Sequence, residues 1–224
     1  MLSDNERRTR QWQQHVGDFL SRELGGAPAR WAEANRYAIE RSWERFRDPA
    51  RARRDVREYI HSDGRVWLAD MCAQAGVALP DRDRIDDIVE RAGRYVTERV
   101  RAFYPEVAEA LRSLRARGYV LYTSSGNIEA DLDGYLRAEG VRELFRTLYG
   151  SDIVNTWKLG PQFYSAILAH AGIPPGDAVM VDDSRRAVDW ARASGMRALL
   201  LGRDGSASGP DVIRSLADLI AALD

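Results

Sequence analysis

The sequence has one cysteine, one lysine and no long apolar run. The single cysteine, Cys72, excludes an internal disulfide and a cysteine-rich zinc site. No apolar run approaches the roughly 20 residues that a membrane-spanning helix needs, and the first ten residues contain no apolar signal-peptide core. We therefore expect a cytoplasmic protein with no membrane partner.

Neither sign of charge dominates the chain. Lysine and arginine together number 33, against 34 acidic residues, which gives a formal net charge of −1. The broad positive field that supports nonspecific nucleic-acid binding is absent, so no nucleic-acid partner is expected. Among the basic residues only Lys158 is a lysine, which indicates a position where a compact ammonium is preferred to a planar guanidinium.

Strand-like alternation is missing from residues 5–101. Apolar residues recur there at helical spacing, with charged residues on the opposite faces. Glycine, proline and polar turn residues predict four breaks, at 25–28, 48–49, 62–64 and 76–80. This half of the chain is therefore predicted to form four or five helices.

From Pro105 onward, short β-branched or aromatic runs alternate with helical segments, a pattern typical of a parallel α/β sheet. The predicted strands, all parallel, span 119–124, 145–149, 178–181 and 198–201. The predicted helices span 105–117, 128–139, 161–171, 185–194 and 211–223. The fold class is therefore α/β, with an all-helical domain over residues 1–101 and a Rossmann-like core over residues 102–224.

Three segments near the predicted strand ends carry residues suited to binding ions. Residues 123–127 open a helix with hydroxyls and N–H groups that can hold an anionic oxygen, although an ordinary helix cap is equally consistent with them. Asp182 and Asp183 suit a hard cation such as Mg²⁺, with a surface turn as the alternative. Lys158 precedes a helix, where a solvated surface charge is the alternative. Ligands of open α/β sheets bind beyond the carboxyl ends of the strands, so these segments are expected to meet.

The order of these features resembles the haloacid dehalogenase-like hydrolase superfamily: a hydroxyl after one strand, a lysine before a helix, and an acidic pair after another strand. The resemblance covers about residues 102–204. Besides the three segments, it includes 103–107, 110–111, 118–119, Tyr164 and 191–196.

The resemblance implies specific roles for the site residues. Spacing from Gly118 places the hydroxyl motif on Ser125, or on Ser124 if the register slips by one. Ser125 and Lys158 are the implied catalytic residues. The implied substrate-binding residues are Ser125, Gly126, Asn127 and Lys158. Asp182 and Asp183 are the implied Mg²⁺ ligands, because the acid that some members carry four residues later is Ala187 here.

The resemblance also makes residues 5–101 the family's helical cap, which usually selects the substrate by closing over the site. His61, Arg65 and Trp67 flank the predicted break at 62–64 and are candidates for facing the substrate. A structural role is the more common alternative for each of them.

The family's first motif is absent. In members of the family, a buried apolar strand ends in Asp-x-Asp, whose first aspartate is the nucleophile. This sequence has no such run, and nothing apolar leads into Asp4. Residues 1–6 resemble the stretch that normally follows the motif, so we expect an N-terminally shortened chain. In relatives the missing strand is the central one, between those that end at Ser125 and Asp183.

The expected function is that of a Mg²⁺-dependent phosphatase acting on a small phosphorylated metabolite. Covalent phosphoryl transfer needs an aspartate aimed at phosphorus, so the chain as it stands is expected to be inactive. Two alternatives stay open. One is a non-catalytic binding or regulatory protein of the same fold, and the other is a hydrolase of carbon–halogen bonds.

Overall fold

The computed structural model describes residues 2–48, 50, 55–205 and 207–223, which fall into two compact units. The α/β unit contains the described residues of Met1–Asp4, Phe103–Glu129 and Glu139–Asp224. The helical unit contains those of Asn5–Ala102 and Ala130–Ala138. The predicted domain boundary between residues 101 and 102 stays a prediction.

The helices described in the helical unit are α1 (Asn5–Leu24), α2 (Pro28–Phe46), α3 (Val56–Ala75), α4 (Arg82–Thr97) and α6 (Glu129–Ala138). Of α6, residues Ala130–Ala138 belong to this unit. The turn between α1 and α2 uses Gly25 and Gly26 at positive φ, and Pro28 begins α2 at a position where its missing N–H costs nothing. The carboxylate of Asp55 accepts hydrogen bonds from two N–H groups at the start of α3. The described part of residues 5–101 contains four α-helices, which agrees with the predicted four or five.

The predicted break at 62–64 is wrong. α3 runs without interruption from Val56 to Ala75, through Gly64. A Cβ at Gly64 would lie 2.9 Å from the Cγ1 of Val89 on α4, closer than real Cβ atoms approach. Gly64 therefore serves close packing between α3 and α4, which outweighs the low helix propensity of glycine.

The helical unit has a continuous apolar core with a small polar network inside it. Trp31 is fully buried and its Nε1–H donates to the Gly25 carbonyl at 2.7 Å. Asn35 is also fully buried, and its amide donates to Gln13 at 3.1 Å and accepts from the Trp67 indole N–H at 2.9 Å. Each buried polar group in this network is thus paired, as low-dielectric surroundings require.

Arg65 and His61, two of the residues of α3 predicted to face a substrate, contact Asp86 on α4. The Arg65 guanidinium donates two hydrogen bonds to the Asp86 carboxylate, and the Nε2 of His61 lies 3.5 Å from the same group. Hydrogen bonds from Arg65 lower the pKa of Asp86 below its ordinary value. The observed contacts of Arg65, His61 and Trp67 therefore all hold helices of this unit together.

Two helix glycines in this unit differ in the space around them. A Cβ at Gly134 on α6 would overlap Thr97 and approach the Glu98 backbone nitrogen to 3.3 Å, whereas at Gly93 on α4 the nearest atom is 3.7 Å away. We expect Gly134→Ala to lower the free energy of unfolding by about 1–3 kcal/mol through overpacking. Gly93→Ala should raise it by up to about 1 kcal/mol. Urea unfolding followed by circular dichroism tests both, and equal effects would contradict the packing described here.

The α/β unit alternates helices with short strands. The helices are α5 (Val107–Ala116), α7 (Pro161–Ala171), α8 (Arg185–Ala193) and α9 (Asp218–Leu223). The strands are β1 (Leu121–Tyr122), β2 (Phe145–Thr147), β3 (Val179–Asp182), β4 (Arg197–Leu201) and β5 (Val212–Ile213). Every pairing between them is parallel. The predicted fold class, a Rossmann-like parallel α/β core with an all-helical second part, is confirmed.

Within the described residues the strands form two separate sheets. β1 pairs with β2, with Leu121 opposite Phe145. The second sheet has the order β3-β4-β5, with Val181 opposite Leu199 and Leu200 opposite Val212. Among these residues, β1 therefore has no neighbouring strand on the side away from β2, and β3 has none on the side away from β4.

The predicted C-terminal helix over 211–223 is only partly correct. Its first residues form β5 against β4, with the N–H of Leu200 donating to the carbonyl of Asp211 at 2.9 Å. The backbone N–H groups of Arg214 and Ser215 then donate to the Asp218 carboxylate at 2.9 and 2.8 Å, and the N–H of Asp218 donates to the Ser215 hydroxyl at 3.4 Å, a reciprocal arrangement that starts the shorter α9. A non-local strand pairing thus replaces the first turns of the predicted helix.

No helix among the described residues has the length and apolar character to cross a membrane.

Candidate active site

The residues after β1 form a tight turn against the segment after β2. The N–H of Ser125 donates to the Tyr149 carbonyl at 3.0 Å, and the Thr123 hydroxyl donates to the same oxygen at 3.2 Å. The hydroxyl oxygen of Ser125 accepts from the N–H of Asn127 at 3.1 Å. Gly126 and Asn127 are exposed, and a Cβ at Gly126 would have open space around it. The Ser125 hydroxyl proton can still be donated to a bound group.

An acid that the sequence interpretation missed caps the following helix. The backbone N–H of Glu129, the first residue of α6, donates to both carboxylate oxygens of Asp152, at 3.0 and 3.2 Å. A Cβ at Gly150 would overlap both Asp152 and the Asn127 carbonyl, so only glycine permits this approach. The N–H of Glu129 is therefore already bonded to Asp152, whereas the prediction for residues 123–127 stays a prediction. A short strand followed by Gly-Ser-Asp was the only sequence signal for this cap.

Lys158 connects the ends of two strands that belong to different sheets. Its Nζ donates to the Ser124 carbonyl at 2.8 Å and to the Asp182 carboxylate at 2.7 Å. It lies in the loop before α7, where Pro161 starts the helix. The Lys158 and Asp182 side chains keep only 18% and 10% of their surface exposed. The expected meeting of these segments is confirmed for Lys158, Ser124 and Asp182.

The two aspartates after β3 have different surroundings. Asp182 is buried, and its second carboxylate oxygen accepts from the N–H of Ser184 at 2.9 Å. Asp183 is exposed. The Ser184 hydroxyl caps α8 by accepting from the N–H of Ala187 at 3.4 Å. The pair thus presents one carboxylate fixed by a lysine and one at the surface.

The phenol of Tyr164 on α7 interacts electrostatically with Asp182 of this pair. The residue is 1% exposed, and its hydroxyl has no hydrogen-bond partner among the described residues. Burial raises the pKa of Tyr164, and the negative charge of Asp182 raises it further. The phenol therefore stays protonated and is available as a donor.

No group of three or more histidine, cysteine or acidic side chains in the described part of the chain could hold a metal ion. The donors at the end of β3 are two adjacent carboxylates, one of which already accepts two hydrogen bonds. Mg²⁺ is commonly bound through one or two carboxylates, with water and a substrate phosphate completing its octahedron. The donor type therefore fits Mg²⁺ as a partial ligand set but not as a complete protein cage.

Sequence comparison finds curated relatives with phosphatase names. Enolase-phosphatase E1 of Pseudomonas aeruginosa strain LESB58 is 34% identical over 121 residues, 52% of this chain and 53% of that protein. Phosphatase MT3486 of Mycobacterium tuberculosis is 30% identical over 122 residues, 54% of this chain and 56% of that protein. The matched region of this chain spans about half the length of these relatives.

Solved structures with the same fold include both a dehalogenase and a phosphatase. A 2-haloacid dehalogenase from Pseudomonas syringae pv. tomato matches with a TM-score of 0.66 at 21% identity, covering 99% of this chain and 93% of that one. A HAD phosphatase from Thermococcus onnurineus matches with a TM-score of 0.60 at 22% identity, covering 100% and 93%. At these identities the likeness concerns the fold.

A family model matches residues 5–195, most of the chain, including Lys158 and the acidic pair. The match extends across the helices of residues 5–101 as well as the strands that carry the site. By this match the chain belongs to the haloacid dehalogenase-like hydrolase family.

Proposed function

We propose that this chain carries the substrate-binding and metal-binding part of a Mg²⁺-dependent phosphatase that acts on a small phosphorylated metabolite. The observation that supports this most directly is the ammonium of Lys158, held between the Ser124 carbonyl and the Asp182 carboxylate. A phosphoryl group needs such a cation beside it as charge develops. The phosphatase names of the relatives support the substrate class.

In this proposal, Ser125, Gly126, Asn127 and Lys158 bind the phosphoryl group. The Ser125 hydroxyl donates its proton to a phosphoryl oxygen, since its own oxygen already accepts from Asn127. Gly126 leaves open space beside the ligand because it has no side chain. Lys158 neutralises negative charge on the bound phosphoryl group.

Asp182 and Asp183 would hold Mg²⁺, directly or through water. The ion, when bound, neutralises phosphoryl charge. The two acids and Lys158 otherwise sum to −1, which repels a phosphate dianion. The metal is therefore expected to be a condition for phosphate binding.

Turnover requires an aspartate nucleophile aimed at phosphorus, and this sequence offers no suitable one. Asp4 is the first acid of the chain, and the residues before it pair with residues 103–104. Ser3 forms an antiparallel bridge with Phe103, and the N–H of Tyr104 donates to the Leu2 carbonyl at 3.1 Å. We therefore expect binding of phosphate without hydrolysis.

Isothermal titration with inorganic phosphate, with and without Mg²⁺, tests the proposal. We expect Mg²⁺ to strengthen phosphate binding at least about tenfold, which corresponds to about 1.4 kcal/mol. Asp183→Asn should reduce this dependence. Asp189→Asn, which removes an exposed acid on α8, is the matched control and should not change it. Phosphate binding that ignores Mg²⁺ in all three proteins would contradict the proposal.

The dehalogenase alternative is supported by the fold likeness to haloacid dehalogenases. It predicts that 2-chloropropionate binds without a metal and that phosphate does not compete with it. The non-catalytic alternative predicts phosphate binding as well.

Two substitutions distinguish whether the hydroxyl motif lies on Ser125 or on Ser124. Ser125→Ala removes the donor assigned to the phosphoryl group and should weaken phosphate binding about 10-fold or more, as expected for a hydrogen bond to a charged group. Ser124→Ala is the control, because Lys158 contacts the backbone carbonyl of Ser124, which this change retains. The same titration measures both, and a larger effect at Ser124 would assign the motif to that residue.

A further inference from the structure

The segment that follows β2, residues 149–158, contacts the turn after β1 at both of its ends. At its start the Tyr149 carbonyl accepts from the N–H of Ser125 at 3.0 Å. At its end the Nζ of Lys158 donates to the Ser124 carbonyl at 2.8 Å. The path of this segment therefore decides where the ammonium lies relative to the turn that carries Ser125.

The chain reverses direction within this segment at Asn155. The N–H of Thr156 donates to the Ser151 carbonyl, five residues earlier, at 3.0 Å. A bond of this span is typical of a Schellman turn, in which the residue before the donor has a left-handed backbone. Asn155 has a φ of 46° and is the only non-glycine residue with a positive φ in the described part of the chain. Its left-handed backbone thus permits the reversal.

A second turn directly follows the reversal and contains Lys158. The N–H of Leu159 donates to the Trp157 carbonyl at 2.8 Å, which makes Lys158 the central residue of a three-residue γ-turn. Pro161 then begins α7. Two residues separate Asn155 from Lys158, so a change of chain direction at Asn155 would move the lysine with it.

The requirement at position 155 concerns the backbone. The Asn155 side chain is exposed, so it contributes little to packing. Asparagine visits positive φ more readily than most residues, because its short polar side chain can form local hydrogen bonds. Glycine adopts positive φ without strain, whereas the Cβ of alanine disfavours it. Glycine should therefore replace Asn155 successfully and alanine should not.

We infer that Asn155 is a positioning residue for Lys158. Its left-handed backbone keeps the ammonium between the Ser124 carbonyl and the Asp182 carboxylate. The effect on the ammonium stands on the geometry of residues 149–158 alone. Its consequence for phosphate binding rests on the proposed function. The alternative is that Asn155 stabilises its own turn and leaves Lys158 unaffected.

Three variants of the full chain separate positioning from stability. Asn155→Gly keeps easy access to positive φ, and Asn155→Ala does not. Gly172→Ala is the matched control. Gly172 ends α7 with a φ of 67°, and a Cβ there would meet no atom within 4 Å, so this change introduces the same backbone strain at the far end of the helix. Both alanine variants should lower the folding equilibrium constant about 5-fold or more in urea unfolding.

The position of the ammonium is measured by nuclear magnetic resonance, as the rate at which its protons exchange with water. Lys158 is the only lysine, so isotopically labelled lysine gives a single ammonium signal. We expect exchange at least about 5-fold faster in Asn155→Ala, because the hydrogen bonds to Ser124 and Asp182 are lost more often. Asn155→Gly and Gly172→Ala should stay within about 2-fold of the unaltered chain.

Equal exchange in all four proteins would overturn the inference and leave Asn155 a purely structural role. Faster exchange in Gly172→Ala as well would also overturn it, because strain at either end of α7 would then have the same effect. Fast exchange in Asn155→Gly would assign the effect to the asparagine side chain and contradict the backbone argument.

Phosphate titration in the presence of Mg²⁺ links this inference to the proposed function. Asn155→Ala should bind phosphate about 5-fold or more weakly, and Asn155→Gly should bind it like the unaltered chain. Proton exchange needs no phosphate and tests the positioning alone, whereas titration of the unaltered chain tests the function alone. A chain whose ammonium exchanges faster in Asn155→Ala but that binds no phosphate keeps the positioning residue and loses the phosphatase.

Discussion

Replacement of Lys158 with methionine is expected to lower the free energy of unfolding by about 3–5 kcal/mol and to abolish Mg²⁺-dependent phosphate binding. Methionine keeps most of the length of the lysine stem but removes the ammonium. The buried carboxylate of Asp182 would then keep only the Ser184 N–H as a donor among those described for it above. An uncompensated charge at such a site costs far more than an exposed ion pair contributes.

A double-variant cycle identifies the cause of this effect. Asp182→Asn in the Lys158→Met background removes the unpaired charge and leaves an oxygen to accept from Ser184, so most of the lost stability should return. Phosphate binding should stay absent in the double variant. Additive losses of stability in chemical unfolding would show that the ion pair is not what stabilises these strand ends.

Substitution of Trp31 with alanine should lower the stability of the helical unit by about 3–5 kcal/mol. Trp31 is fully buried in the core of that unit and its indole N–H donates to the Gly25 carbonyl, so its removal leaves a large cavity and removes this side-chain bond to the α1–α2 turn. Such a loss is a large fraction of the 5–15 kcal/mol typical of a folded domain.

Trp43 on the same helix provides the matched control. Its side chain is 56% exposed and packs edge-on against Phe46 alone among the aromatic rings described. Trp43→Ala is expected to change the free energy of unfolding by less than about 0.5 kcal/mol. Urea unfolding followed by the helical circular-dichroism signal measures both variants. Similar shifts in the two would contradict the burial of Trp31.

The meeting of Lys158 with Asp182 could be predicted from sequence because it depends on topology more than on detail. Parallel strands place their carboxyl ends on one edge, so polar residues directly after apolar runs converge there. The resemblance to a known family added which of the two serines and which acids to expect. The roles of Ser125, Asp183 and the neighbouring residues stay predictions.

The errors arose where tertiary contacts outweighed local preference. Gly64 carries a break signal, yet α3 continues through it because Val89 leaves no space for a side chain there. Val212 and Ile213 fit a helical pattern, but their pairing with β4 depends on residues about a dozen positions earlier. The only sequence signal for Asp152 was Gly-Ser-Asp after a short strand, because capping of α6 depends on a turn that only the folded chain forms. Local propensity contains none of this information.

Because Lys158 is the only lysine, an amine-specific reagent can modify one side chain alone, and that side chain lies at the ends of β1 and β3. An acylating reagent reacts only with the deprotonated amine, and Lys158 is the one side-chain amine among 224 residues. Its ammonium is 2.7 Å from the Asp182 carboxylate and the side chain keeps only 18% of its surface exposed, so a reagent reaches the nitrogen only when this contact opens. The rate at which the tryptic fragment containing Lys158 becomes acylated, measured by mass spectrometry, would therefore report how often the ion pair opens. This measurement needs no mutation.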